Sequence, residues 1–168
     1  MLTRADRIYR IIAQIQKERD DLETLHREFT VHAGGDVTDS YYLRAVASNL
    51  CDFYSGVERI FVAIGKELNG GLPTGDRWCM DLLRDMQLTI ARVRPAVISE
   101  ELAKVLEDFL DFRHRNRHIY GYRLEWSRMD RLVQRFPSVL KRVNTEIGAF
   151  LSVLQRMAEE VAHQIAHA

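Results

Sequence analysis

The stretch "LRAVASNLCDFYSGVERIFVAI", Leu43 to Ile64, sets apolar residues at Leu43, Val46, Leu50, Phe53, Val57, Ile60 and Ile64, in steps of three and four without a miss. An α-helix turns once every ~3.6 residues, so this spacing returns all of those side chains to one face. The segment is predicted to be a core helix, ended by "NGG" at Asn69 to Gly71. The rest of the chain is read outward from it.

Toward the N-terminus, Ile8, Ile11, Ile15, Leu22, Leu25 and Phe29 carry the same spacing and predict a long helix from about Arg4 to Phe29. "HAGGDVTD", His32 to Asp39, breaks it with two glycines and offers Thr38 or Asp39 as the N-cap of the core helix. Toward the C-terminus, "LPTGDRWCMDLLRDM" reads as a turn and a short helix carrying Trp78, Leu82, Leu83 and Met86, stopped by "RVRPAV" at Arg92 to Val97. Ser99 caps a further helix whose first turn holds Glu100 and Glu101, where the helix dipole favours anions. Its core face is Leu102, Val105, Phe109 and Phe112, and Gly121 marks the end of the pattern. "SRMD", Ser127 to Asp130, has capping-box spacing and opens a short helix. Pro137, read as a first-turn proline, starts the last long helix, with Leu140, Val143, Ile147, Leu151, Leu154 and Val161 as its stripe. Long helices, short links and no convincing strand predict an all-α fold, an antiparallel helical bundle, with residues 1–168 as one domain.

A chain of 168 residues that is 46% hydrophobic is expected to be globular. Twenty-four basic residues balance twenty-four acidic ones, so any binding of nucleic acid has to come from a local patch. Cys51 and Cys79 lie far apart without CxxC spacing, which argues against a zinc site and fits a reduced cytosolic protein. No apolar run reaches the roughly 20 residues that span a bilayer, and "MLTRADRIYR" lacks a signal-peptide core, so the expected setting is soluble and cytoplasmic, with no membrane.

One patch stands out from this balance: "FRHRNRHIYGY", Phe112 to Tyr122. Continued along the helix from Ser99, the core stripe leads from Phe112 to Asn116 and Ile119. A second stripe begins with Leu106 and Leu110 and becomes Arg113, Arg117 and Tyr120. A third runs Glu107, Asp111, His114, His118. These groups suit phosphodiester chemistry. An arginine keeps its charge and grips a phosphate with two N–H bonds, the role expected of Arg113. An imidazole titrates near pH ~6.5 and moves protons at neutral pH, which suits His118 as general base or acid. RNA brings its own nucleophile in the 2′-hydroxyl, so such a site needs neither metal nor cofactor. Five residues along an ideal helix amount to about 140° of rotation, so Arg113 and His118 converge only through arginine's reach, a distorted helix end or a two-fold interface.

The blander readings are a solvated basic face for Arg113, Arg115 and Arg117, and core or interface packing for Trp78, Trp126 and the phenylalanines. Cys51 and Cys79 read as small buried hydrophobes. Tyr122 and Arg123 either extend the basic surface or cover the end of the bundle. His114 with His118, and His163 with His167, have the one-turn spacing of a metal pair without a further ligand nearby, and no metal site is expected.

Arg113, His118 and Tyr120 spell the Rx4HxY pattern, and the chain resembles the HepT-like toxins of the HEPN superfamily. "NLCDFYSGVERIF", "GDRWCMDLLRDM", "RPAVIS" and "FRHRNRHIYGYRLEW" carry the likeness through most of the chain. The resemblance implies a helical-bundle homodimer whose motif residues line a central cleft. It implies a metal-independent endoribonuclease that cuts a tRNA or an mRNA through its 2′-hydroxyl and leaves a cyclic phosphate. It further implies a nucleotidyltransferase antitoxin that adenylylates Tyr120. Many family members place an asparagine directly after the motif arginine; here that position is His114, and the asparagine comes at Asn116. His114, Asn116, Arg117 and Glu58 are carried as supporting or RNA-binding residues. The rival readings are a non-catalytic bundle that helps a nucleotidyltransferase bind nucleotide or substrate, and a purely structural dimerisation bundle.

Overall fold

The computed structural model describes residues 1–166, and among these the chain forms five α-helices: α1 (Arg4–Val31), α2 (Ser40–Leu68), α3 (Trp78–Asp85), α4 (Glu100–Asn116) and α5 (Trp126–Ala166). A single 3₁₀ turn, Gly121–Arg123, lies between α4 and α5. No strand occurs among the described residues; Ile90 and Arg94 form one isolated bridge.

All seven residues of the opening pattern are buried, and Ala47, Tyr54 and Phe61 are buried with them on the flanks of that stripe. The wider apolar face follows from position: α2 packs against every other helix and against the 3₁₀ turn. Neighbouring helices run antiparallel. Arg59 of α2 pairs with Glu18 of α1 at 3.0 Å, while Gly56, earlier on α2, meets Leu22, later on α1. A methyl group at Gly56 would lie 2.6 Å from a Leu22 carbon, so the glycine lets the two helices approach. The rings of Phe53, Phe109 and Phe136, from α2, α4 and α5, meet at centroid distances of 4.8–5.0 Å, and Phe29 of α1 joins Phe136 at 5.0 Å. Such edge and tilted contacts fill the centre of the bundle.

The caps follow local chemistry. Thr3 caps α1 in a reciprocal box with Asp6, and Asp39, one of the two expected candidates, caps α2 by accepting from the Tyr41 N–H. The Ser99 hydroxyl accepts from the Leu102 N–H at 3.2 Å and donates to Glu146 of α5 at 2.8 Å, tying the start of α4 to the bundle.

Two boundaries differ from the sequence reading. Pro137 does not start the last helix: α5 begins at Trp126, includes Ser127, and runs through the proline. A proline inside a helix costs about 3 kcal/mol through its missing N–H and its clash with the preceding turn. Met129, Leu132 and Phe136 before it, and Val139, Leu140 and Val143 after it, are all buried. At roughly 1.5–3 kcal/mol per large side chain, continuous burial outweighs the break. The second difference is that α4 ends at Asn116, well short of Gly121.

Candidate functional site

The early end of α4 decides the site. Its last turn holds Arg113, His114 and Arg115, basic residues of the kind that suit the negative end of a helix dipole. The Arg117 N–H still reaches the Arg113 carbonyl at 3.3 Å, whereas the His118 N–H turns to the Arg115 carbonyl at 3.1 Å. The stripes expected to continue along the helix therefore stop, and His118, Ile119 and Tyr120 lie beyond it. Of the routes by which the motif residues could be assembled, a turn at the helix end is thus present.

It does not bring Arg113 and His118 together. Arg113 is 4% exposed and points into the seam of α2, α3 and α4. Its Nη1 donates to Ser55 Oγ at 3.0 Å and Glu58 Oε1 at 3.1 Å; its Nη2 donates to Glu58 Oε2 at 2.7 Å and weakly to Cys79 Sγ at 3.8 Å. The guanidinium also lies over the Tyr54 ring, 4.9 Å from its centroid. An arginine has five N–H donors, and the four on its terminal nitrogens are committed here. Burial opposes the charge, but the bonds and attraction to Glu58 more than offset it, so the guanidinium titrates above its ordinary range. In this state the expected phosphate clamp is a closed ion pair.

The partners of Arg113 are shifted in turn. Burial, reinforced by Glu58, pushes the Cys79 thiol up to about 11. Burial, again with Glu58 nearby, raises the Tyr54 phenol, whose hydroxyl is buried without a hydrogen-bond partner. Burial also raises Cys51, partly countered by the Asn116 amide that donates to its sulfur at 3.5 Å. Both cysteines are half-buried and free, and serve as soft acceptors on either side of the motif.

Two cavities flank the end of α4. One, of about 210 Å³, is bordered by Arg77, Cys79, Asp111, Arg113, His114 and Arg117. The other, about 620 Å³, has apolar walls of Phe112, Ile119, Leu124 and Met129; His114, Asn116, His118, Arg115, Arg123, Arg128 and Glu125 complete it. Arg113 and Arg117 border the first, His118 the second, and His114 both. The His114 and His118 rings meet edge to face at 5.4 Å, and both are exposed. Among the described residues no group of three or more His, Cys, Asp or Glu gathers; His163 lies far along α5, and His167 lies outside the described residues.

Tyr120 is 69% exposed and stacks on Tyr122 at 5.6 Å with the planes 12° apart. The Arg123 guanidinium lies 5.9 Å from the first ring and 5.7 Å from the second. The 3₁₀ turn carrying them rests on α2, where a methyl group at Gly121 would meet Arg44 at 2.6 Å. The sequence reading placed Glu58 near the cleft without its partner. It missed Ser55 and Tyr54, which sit within the core-helix pattern and carry no separate signal. It also left Tyr122 and Arg123 between two roles; the structure makes them part of the surface around Tyr120.

No helix among the described residues is long and apolar enough to cross a membrane. A family model described as HepT-like protein matches residues 45–154, a span that holds Glu58, Arg113, His114, Asn116, Arg117, His118 and Tyr120. No curated protein and no solved structure matches the chain.

Proposed function

The chain belongs to the HepT-like family, and on that premise we propose that it is the toxin of a toxin–antitoxin pair, a metal-independent endoribonuclease switched off by adenylylation of Tyr120. One observation carries the reading: His118 and Tyr120 stand exposed past the end of α4, with the His114 ring 5.4 Å from His118 at a cavity edged by arginines. In the proposed reaction, neutral His118 takes the proton of an RNA 2′-hydroxyl as its oxygen attacks the adjacent phosphorus. The bond to the 5′-oxygen breaks, and protonated His114 supplies that oxygen with its proton. The products are a 2′,3′-cyclic phosphate and a 5′-hydroxyl end. Paired imidazoles in opposite protonation states suit general base and acid at neutral pH.

The charge for the phosphate comes first from Arg117, exposed beside the smaller cavity. Arg113 is a positioning residue: held by Glu58, it fixes the end of α4 beside Arg117. In this reading the site is completed in a two-fold homodimer, where Arg117 of one copy and His118 of the other meet on one RNA.

For the switch, the exposed Tyr120 hydroxyl attacks the α-phosphorus of ATP on the nucleotidyltransferase antitoxin, pyrophosphate leaves, and the phenolic proton is lost. The product carries a bulky nucleotide and a new negative charge beside the site, so RNA is repelled as well as obstructed. The test is to prepare the protein with and without a co-expressed minimal nucleotidyltransferase, and to follow cleavage of total RNA and intact mass. The expected result is cleavage by the unmodified protein, abolished in His118→Ala, and AMP-sized mass additions that vanish in Tyr120→Phe. The closed Arg113–Glu58 pair favours the rival, a non-catalytic nucleotide-binding partner. An unmodified, intact dimer that cuts no RNA would overturn the nuclease reading.

A further inference from the structure

The larger cavity holds more than the chemistry above uses. His118 and His114 occupy one side of it; the remainder, between the end of α4, the 3₁₀ turn and the start of α5, has no assigned role. Its volume of about 620 Å³ lies within the range of small-ligand sites and exceeds what a phosphate needs. Phe112 and Met129, both buried, and Leu124 and Ile119, half-buried and exposed, give it apolar walls. Arg115, Arg123 and Arg128 stand at its edge, all exposed, against one carboxylate, Glu125, which is already paired with Arg128 at 3.4 Å. The Asn116 amide, whose N–H already reaches Cys51 Sγ at 3.5 Å, adds a carbonyl acceptor to the lining.

An apolar hollow edged by cations fits a planar, uncharged ring attached to an anion. Resting on the reading of the site as a ribonuclease centre, we infer that this cavity is a nucleobase subsite: it takes one unpaired base next to the cut, with the base on Ile119 and Leu124, backed by Met129, and its phosphate against Arg123 and Arg128. Single-stranded RNA is held in this way elsewhere, by apolar or aromatic contact to the base and cationic contact to the backbone. A double-stranded substrate keeps its bases stacked and cannot fill the cavity, so the site selects an unpaired loop or end. The stacked Tyr120–Tyr122 pair with Arg123 above both rings continues the same surface and offers the next base a π-face.

The subsite is tested by titrating the ¹⁵N-labelled His118→Ala protein with each nucleoside 5′-monophosphate and, separately, with ribose 5-phosphate. Shifts at the amides of Ile119, Leu124 and Glu125, larger with nucleotides than with ribose 5-phosphate, are the expected result. Ile119→Asn, a change at an exposed position, is expected to weaken nucleotide binding about five- to tenfold and leave ribose 5-phosphate unchanged. Arg128→Gln is expected to weaken both. Equal shifts from ribose 5-phosphate, or shifts confined to Arg77, Cys79 and Arg117, would overturn the proposal. Nucleotide binding here by a wild-type protein that cuts no RNA keeps the subsite and removes the nuclease; RNA cleavage without these shifts does the reverse.

Discussion

Arg113 stands where sequence and structure pull hardest against each other. Its place in the Rx4HxY pattern makes it a candidate site residue, yet its side chain is 5% exposed and closed on a Glu58 side chain that is 14% exposed. Removing one partner of such a pair strands the other charge away from water, at about 3–5 kcal/mol. Arg113→Ala is therefore expected to lower unfolding free energy in urea by about 3 kcal/mol. His118→Ala, at an exposed turn, should stay within about 0.5 kcal/mol of wild type. Both variants are expected to lose RNA cleavage, so the comparison separates a residue that builds the site from one that acts in it. An Arg113→Ala protein as stable as wild type would return that residue to the role of a free phosphate clamp. The pairing with Glu58 was only partly legible beforehand, because the two residues lie on separate helices and spacing along one helix says nothing about which partner a neighbour presents.

At the level of elements, the periodic apolar stripes located all five helices, since each stripe reflects a face that must be buried. What they misjudged were ends. Pro137 read as a start because local rules favour proline in a first turn, but α5 passes through it, on the strength of the side chains it buries on either side. Pro137→Ala restores a backbone N–H and removes the ring clash, and is expected to stabilise the protein by about 1–3 kcal/mol, read as a raised urea midpoint with unchanged slope. An unchanged or lowered midpoint would mean that α5 relies on the proline where it stands. At α4 the opposite error occurred. No glycine or proline follows Asn116 until Gly121, so the sequence offers no early stop. The turn at Arg117 and His118 goes with the anchoring of Gly121 against Arg44 of α2, a contact between residues far apart in the chain.

For the whole molecule, the proposed two-fold assembly makes a quantitative prediction. If each active centre joins Arg117 of one copy to His118 of the other, then equal mixing of Arg117→Ala and His118→Ala proteins, refolded together, forms heterodimers with one intact centre in half of all dimers. Cleavage should recover to about a quarter of the wild-type rate. No recovery in a mixture shown by mass to contain heterodimers would place the complete centre within a single copy. What the sequence determined by itself was the all-α character, the central helix, the buried stripes and the segment that carries the candidate site, because periodic burial and the clustering of unusual side chains are properties of neighbours along the chain. Tertiary structure alone decided that Arg113 closes on Glu58, that α4 stops before His118, that α5 runs through Pro137, and that Arg113 and His118 border different cavities. Each of those outcomes depends on which distant surface a side chain meets, and the energy of that meeting exceeds the local preference it overrides.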